Sequence, residues 1–274
     1  MRIVIDMQGA QTESRFRGIG RYTMDFSKAV VKNRGDHEVY LALSSFNPET
    51  VQQIREEFSE LLPQNNIKVW SAPANICEND IDNIDRMNAA ELIREAFLAS
   101  LDSDVTHITS IFEGFGDDAA ASIGRLGKYG LTSVTIHDLI PLALSDQYLN
   151  NNSIFSKSYF RKIDFLKKAD LFLAISSSSK KEAEQFLDVS PDIVFNTLEG
   201  VGSGFHQTSL TADEIKFFNS RLGLNRHFVL YTGGADERKN LPSLLKSWAT
   251  LPEELRASHQ LVLAGKMPDP VVRE

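Results

Sequence analysis

A doubly wound α/β fold is the class this sequence predicts, and three observations predict it. Nine short apolar runs recur along the 274 residues. Several of them lack polar alternation, as strands buried on both faces of a parallel sheet do. Stretches of helical period separate them, and strand–helix alternation builds a parallel sheet covered by helices.

The strands are expected at RIVIDM (2–7), EVYLAL (38–43), IKVWSA (67–72), VTHITS (105–110), TSVTIH (132–137), LFLAIS (171–176) and DIVF (192–195). Two more follow, FVLYTG (228–233) and QLVLAG (260–265). The clearest helix is MNAAELIREAFLASL, where Ala89, Leu92, Ile93, Ala96 and Phe97 recur at helical spacing. Such a stripe is the face that a helix turns to its core. The serine run 176–179 reads as a capped start for KKEAEQFL.

The glycine- and serine-rich NTLEGVGSGFHQTSLTADE marks a break near residue 200. The expected organisation is a first domain over 1–200, a linker and helix over 201–226, and a second domain opening over 227–274. Two strands and one intervening helix do not close an α/β domain of ordinary size, so that second domain is expected to be cut short.

Composition narrows the function. A hydrophobic share of 42% suffices for packed cores, and a net charge of −8 argues against a nucleic-acid binder, which needs clustered cations. The single cysteine, Cys77, excludes a disulfide framework and fits a reducing compartment. MRIVIDM is too short for a signal-peptide core and no apolar run has the length of a membrane span, so a cytoplasmic location is expected. The sequon at Asn151 is then expected to be irrelevant.

In an open parallel sheet, ligands bind beyond the carboxyl ends of the strands. Gly18 and Gly20 lie past the first strand, near the start of a helix. Helix N–H groups favour an anion, and a residue without Cβ allows close approach. The alternative is a simple turn, since Thr23 stands where a dinucleotide fingerprint needs its third glycine. His137 ends the fifth run beside Asp138, where a crevice belongs, and imidazole can exchange protons near neutral pH. Its alternative is a histidine satisfied by a backbone carbonyl. His107 reads as a packed strand residue. The third candidate is YTGGADERKNLPSLLKSW, where Gly233, Gly234, Arg238 and Lys239 gather between a strand and a helix and suit a diphosphate. The acidic Asp236 and Glu237 keep open a solvated charge cluster instead. DSD (102–104) precedes its strand and reads as a loop, GVGSGF lacks the first glycine of a hydrolase elbow, and Gly265-Lys266 lacks the rest of a phosphate loop. With no H-E-x-x-H or C-x-x-C, no metal site is expected.

Five separated motifs agree in order with one family. DMQGAQTESRFRGIGRYT, TIHDLIPL, KKADLFLAISSSSKKEAEQFL, LEGVGSGF and FVLYTGGADERKNLPSLLKSW resemble family-4 glycosyltransferases of the GT-B fold, bacterial polysaccharide mannosyltransferases in particular. The resemblance implies two Rossmann-like domains, the first for an acceptor and the second for a nucleotide sugar. It implies sugar transfer with retention and without a metal, from a nucleotide-sugar donor expected to be GDP-mannose, to a glycan or lipid-linked saccharide. It places Gly18, Gly20, Arg21, Gly233 and Gly234 in the donor and acceptor loops, His137 near the transferred sugar, and Arg238 and Lys239 on the departing diphosphate. Gly234 stands where many members carry arginine, a role the resemblance passes to Arg238. Glu199-Gly200-Val201-Gly202 replaces the usual N-G-V-D. The paired glutamates of the family are expected beyond Glu274, so the chain is expected to be part of a longer enzyme and inactive alone. A different class stays open on the residues, a non-catalytic module that binds sugar or a partner. Finally, FSKSYFRKIDFLKKADLFL pairs the stripe Phe155, Tyr159, Ile163 and Leu166 with Lys157, Arg161 and Lys168 off it. This is either a core-facing helix with a solvated basic face or a peripheral contact with anionic membrane.

Overall fold

The first strand of the chain lies inside its sheet, third of seven. In the computed structural model, which describes residues 1–149, 153–202 and 204–265, β1 (Arg2–Asp6) lies between β2 (Glu38–Ser44) and β4 (Val105–Ile108). Outward from β2 stands β3 (Ile67–Trp70), and outward from β4 stand β5 (Leu131–Ile136), β6 (Leu171–Ala174) and β7 (Val194–Asn196). All neighbours among these seven pair in parallel, with Ile5 opposite both Leu41 and His107. The order reverses between β1 and β4, which makes their carboxyl ends the switch point where a crevice opens.

Helices cross between the strands. They are α1 (Gly18–Lys32), α2 (Pro48–Glu57), α3 (Ile84–Ser100), the short α4 (Ile140–Ala143) and α5 (Ser145–Tyr148), α6 (Ile154–Leu166) and α7 (Ser177–Phe186). Ser176 accepts from the Ser179 backbone N–H at 3.0 Å, which caps α7 as its serine run predicts. One core joins Ile5, Leu41 and Leu43 to Val31, Ile54 and Phe58. Another joins Val134, Ile136 and Phe172 to Ile163, Leu166 and Ala183. The Tyr159–Ile163–Leu166 side of α6 is therefore a core face.

Helix α3 is the exception to its sequence pattern. Leu92 and Ile93 are 38% and 39% exposed, while Met87, Ala90, Glu91, Arg94, Glu95 and Leu98 face inward. The Leu92 and Ile93 part of the expected apolar stripe thus points outward, while Phe97 packs against the core. Charge decides the rotation. Arg94 pairs with Asp6 and donates to the Ser122 carbonyl at 3.0 Å. Glu95 accepts from the Ser122 hydroxyl at 2.6 Å and from the N–H groups of Arg125 and Leu126. Glu91 holds Arg125 at 2.9 Å and also pairs with Arg161. Buried charges of this kind must be paired and hydrogen-bonded, and apolar periodicity does not register them.

The chain divides between Gly204 and Phe205, close to the break read near residue 200. In the second unit α8 (Ala212–Leu222) starts on a capping box of Thr211 and Glu214 and ends at Gly223 in the left-handed region. β8 (His227–Thr232) and β9 (His259–Ala264) then pair in parallel across α9 (Leu241–Ala249) and α10 (Glu253–Ser258). Asn151 and Asn152 of the sequon, Ser203, and residues 266–274 lie outside the described residues.

Candidate functional site

His137 follows the last residue of β5, at the carboxyl edge of the sheet. Its Nε2 lies 3.0 Å from the Thr109 carbonyl oxygen. A carbonyl only accepts, so Nε2 carries the proton, and in the neutral ring Nδ1 keeps a free lone pair. Burial lowers the His137 pKa, a shift only partly opposed by that carbonyl and by Asp138 and other carboxylates. The ring is a neutral hydrogen-bond acceptor at pH 7. Its own backbone carbonyl accepts from the Ser179 hydroxyl at 2.7 Å, and this ties the position to the start of α7.

The segment between β1 and α1 is held by two glutamines. Gln8 exchanges bonds with Ala120, donating to its carbonyl at 2.8 Å and accepting from its N–H at 3.0 Å. It also donates to Asp6 at 3.1 Å. Gln11 does the same with Ser44, at 2.8 and 2.7 Å. The two glycines of the loop differ. A Cβ on Gly20 would lie 2.3 Å from Arg15 Cα, so this glycine lets the turn at Glu13–Phe16 pack against α1. At Gly18 a Cβ would meet open space. No side chain caps α1 at Arg17, so its first N–H groups stand free to receive an anion. Arg21 is exposed on the first turn.

Sequence reading missed two acids in EGFGDD. The buried Glu113 accepts hydroxyls from Thr12 at 2.7 Å, Ser14 at 3.0 Å and Ser110 at 2.7 Å. Asp117 is pushed up to about 6 by burial and by the charge of Glu113. An acid-rich stretch broken by glycines after the fourth strand was the available signal.

Next to His137 lies a cavity of about 190 Å³ whose wall includes Ile19, Ser110, Phe112, Phe155, Tyr159 and Lys162. Ile19 sits between the two glycines, and Tyr22 of the same helix touches the His137 ring. The structure thus brings the Gly18–Gly20 loop and His137 together. Phe112 stacks on Tyr159 at 4.8 Å.

Gly233, Gly234, Arg238 and Lys239 belong to the second unit. Gly233 has φ of 149°, and its N–H donates to the Ala264 carbonyl at the end of β9. Tyr231 donates to the Gly234 carbonyl at 2.8 Å. Arg238 pairs with Asp236 at 3.3 Å, and both Arg238 and Lys239 are exposed just before α9. The local arrangement offers glycine backbone and two cations at one strand end. Among the described residues, no group of His, Cys, Asp and Glu could hold a metal, and no helix is long and apolar enough to cross a membrane.

No family model matches the chain. It is 32% identical, over 97% of its length, to a serotype-specific mannosyltransferase WbdA of Escherichia coli, and it covers 32% of that relative. A second relative of the same description and organism is 29% identical over 88% of the chain. The chain spans about a third of the length of these curated relatives. Among solved structures it resembles Anabaena Alr3699/HepE in complex with UDP-glucose, at a TM-score of 0.60 and 12% identity, covering 96% of this chain and 60% of that one. It also resembles the lipopolysaccharide outer core galactosyltransferase WaaB, at 0.53 and 13%, covering 100% and 63%.

Proposed function

We propose, for a chain that belongs to the GT-B-fold glycosyltransferases, that it forms the acceptor-side domain and the start of the donor-side domain of a retaining mannosyltransferase in bacterial O-antigen synthesis. The observation that carries the reading is the 32% identity to a named mannosyltransferase along nearly the whole chain. The donor is a nucleotide sugar, with GDP-mannose the first candidate. A neighbour of the same fold solved with UDP-glucose supports that class of donor. The acceptor is a glycan or a lipid-linked saccharide.

The residues have separable tasks. His137 Nδ1 accepts a hydroxyl of the reacting sugar and holds the ring as its anomeric carbon gains positive charge. Within the second unit, the cations Arg238 and Lys239 meet the negative charge that develops on the departing nucleoside diphosphate. That assignment requires no metal. Peripheral membrane contact rests on less: Arg161 pairs with Glu78 and Glu91, and Lys162 is buried against Glu78. Lys157, Lys167 and Lys168 remain as the outward cations of α6 and its end. Equal sedimentation with neutral and anionic vesicles at low salt removes that contact.

Incubation of a longer protein that contains this chain and a whole donor-side domain with GDP-mannose and an oligomannose acceptor tests the main reading, with the anomeric configuration of the product read by NMR. The expected product keeps the α configuration of the donor. An inverted product, or transfer from no nucleotide sugar at all, overturns the reading.

A further inference from the structure

We infer that Glu113 is a positioning residue that registers the glycine loop before α1 against His137. That the two belong to one reacting site rests on the transferase reading above; the link between them rests on hydrogen bonds. Oε2 of Glu113 accepts the Thr12 hydroxyl at 2.7 Å and the Ser14 hydroxyl at 3.0 Å, both from the segment between β1 and α1. Oε1 accepts the Ser110 hydroxyl at 2.7 Å, from the segment that follows β4. One buried carboxylate thus joins two loops that are far apart in sequence.

Each loop runs directly into a part of the site. On one side, the Arg15 N–H donates to the Thr12 carbonyl at 3.0 Å and the Arg17 N–H to the Ser14 carbonyl at 2.9 Å. These bonds close the turn against which Gly20 packs, so the turn sets where α1 and Gly18 begin. Asp117, from the same acidic segment as Glu113, accepts the Glu13 backbone N–H and clips the turn a second time. On the other side, Ser110 follows Thr109. The Thr109 carbonyl takes the Nε2 proton of His137 at 3.0 Å, and its hydroxyl donates to the Asp6 carbonyl at 2.8 Å. Moving Ser110 moves the carbonyl that orients the imidazole.

The choice of a glutamate is informative. Glu78 and Glu91 are buried beside cations, Lys162 at 2.6 Å and Arg125 at 2.9 Å. Among the described residues Glu113 has no such partner, only hydroxyls, and a second acid, Asp117, stands near it. A buried carboxylate without a cation costs desolvation that an apolar side chain of similar size would not. Its distinguishing property is geometric. Both of its oxygens accept, whereas a carboxamide offers one accepting oxygen and one donor. Glutamine could hold Ser110 or the Thr12–Ser14 pair as they stand, but not both.

Amide exchange read by NMR on the 274-residue chain tests the link with no substrate present. The amides followed are Arg17, in the turn, and Arg21, which donates to the Arg17 carbonyl in the first turn of α1. In Glu113→Gln their exchange is expected to quicken about tenfold, as loss of one hydrogen bond would give. Ser110→Ala alters only the His137 side, yet is expected to quicken the same amides several-fold. It should add nothing in the Glu113→Gln background, where the path is already cut. Ser14→Ala, a milder change on the loop side, should shift the ring-nitrogen resonances of His137. A glutamate that merely stabilised the domain would quicken amides throughout it, those of α7 included, and would give no crossed effects. Wild-type exchange at Arg17 and Arg21 in Glu113→Gln or in Ser110→Ala, or full additivity of the two changes, overturns the link. If Glu113→Gln does not fold, Ser110→Ala and Ser14→Ala carry the test.

In a longer protein that contains this chain and a whole donor-side domain, Glu113→Gln should lower kcat about tenfold and leave substrate KM nearly unchanged, since it misplaces groups without removing a substrate contact. The two readings fail separately. Crossed exchange effects without any transfer by the wild type overturn the transferase and leave the link. Wild-type kcat in Glu113→Gln overturns the positioning role and leaves the transferase.

Discussion

The Tyr22 ring meets the His137 imidazole edge-on, with centroids 5.1 Å apart and planes at 85°. Helix α1 therefore braces the imidazole from one side while the Thr109 carbonyl orients it from the other. A ring held this way presents one nitrogen in one direction, and positioning of that sort is what a transfer reaction needs.

In a longer protein that contains this chain and a whole donor-side domain, His137→Ala should lower kcat about ten- to hundredfold, with a smaller effect on donor affinity, because the lost contact matters most as the sugar departs. The wild-type ring is already neutral at pH 7, its pKa lowered by burial. Its kcat should accordingly show no histidine titration between pH 7 and 8. Steady-state kinetics across that range, with donor Kd measured separately, decide the matter. Wild-type turnover in the variant would return His137 to a structural role.

Gly18→Ala and Gly20→Ala should separate by mechanism. At Gly20 the new methyl runs into the Arg15 backbone, and a loss of about 1–3 kcal/mol is expected from overpacking. At Gly18 the methyl enters open space, and alanine is the better helix former. Stability should hold or rise there while transfer slows, if a ligand approaches this backbone. Urea melts alongside transfer assays read both effects, and normal transfer by Gly18→Ala would remove ligand approach.

His107 gives the molecule an acid limit. Its ring is buried, bonded to Ser133 at 2.7 Å and Thr135 at 3.0 Å, and burial together with the nearby His137 pushes its pKa down to about 3. The folded ring stays neutral where the unfolded ring takes up a proton. Stability is then fully present above about pH 6.5 and falls by about 1.4 kcal/mol per unit as pH drops toward 3. The difference between wild type and His107→Gln in urea unfolding should shrink from pH 7 to pH 4.5. A difference independent of pH would contradict this.

Arg94→Met should cost about 3–5 kcal/mol, since it leaves Asp6 buried without its cation. The Gln8–Ala120 exchange hangs from the same carboxylate. Amide exchange at Ala120 should therefore quicken in the variant, and an unchanged rate would show that the two loops do not depend on this pair.

The strands were legible because buried parallel strands advertise themselves as apolar runs, and all nine expected runs hold a strand. His137 and the glycine loop were legible through their place just after such runs. The orientation of α3 was not, because Arg94 and Glu95 bury charge that finds partners 88 and 27 residues away, and no local period encodes those distances. Glu113 escaped for a related reason: it takes its meaning from hydroxyls on other elements, which sequence order scatters.

The interior place of β1 sets an order on synthesis. A ribosome delivers β1, β2 and β3 in sequence, and these can pair as they emerge. The other flank of β1 must wait for Val105–Ile108, about a hundred residues later, and His137 comes later again. Until then one edge of β1 is bare and ready to pair with the wrong chain. The crevice that would hold a sugar is therefore among the last features of this domain to exist, and a nascent chain halted before β4 would be a target for chaperones rather than a small version of the finished fold.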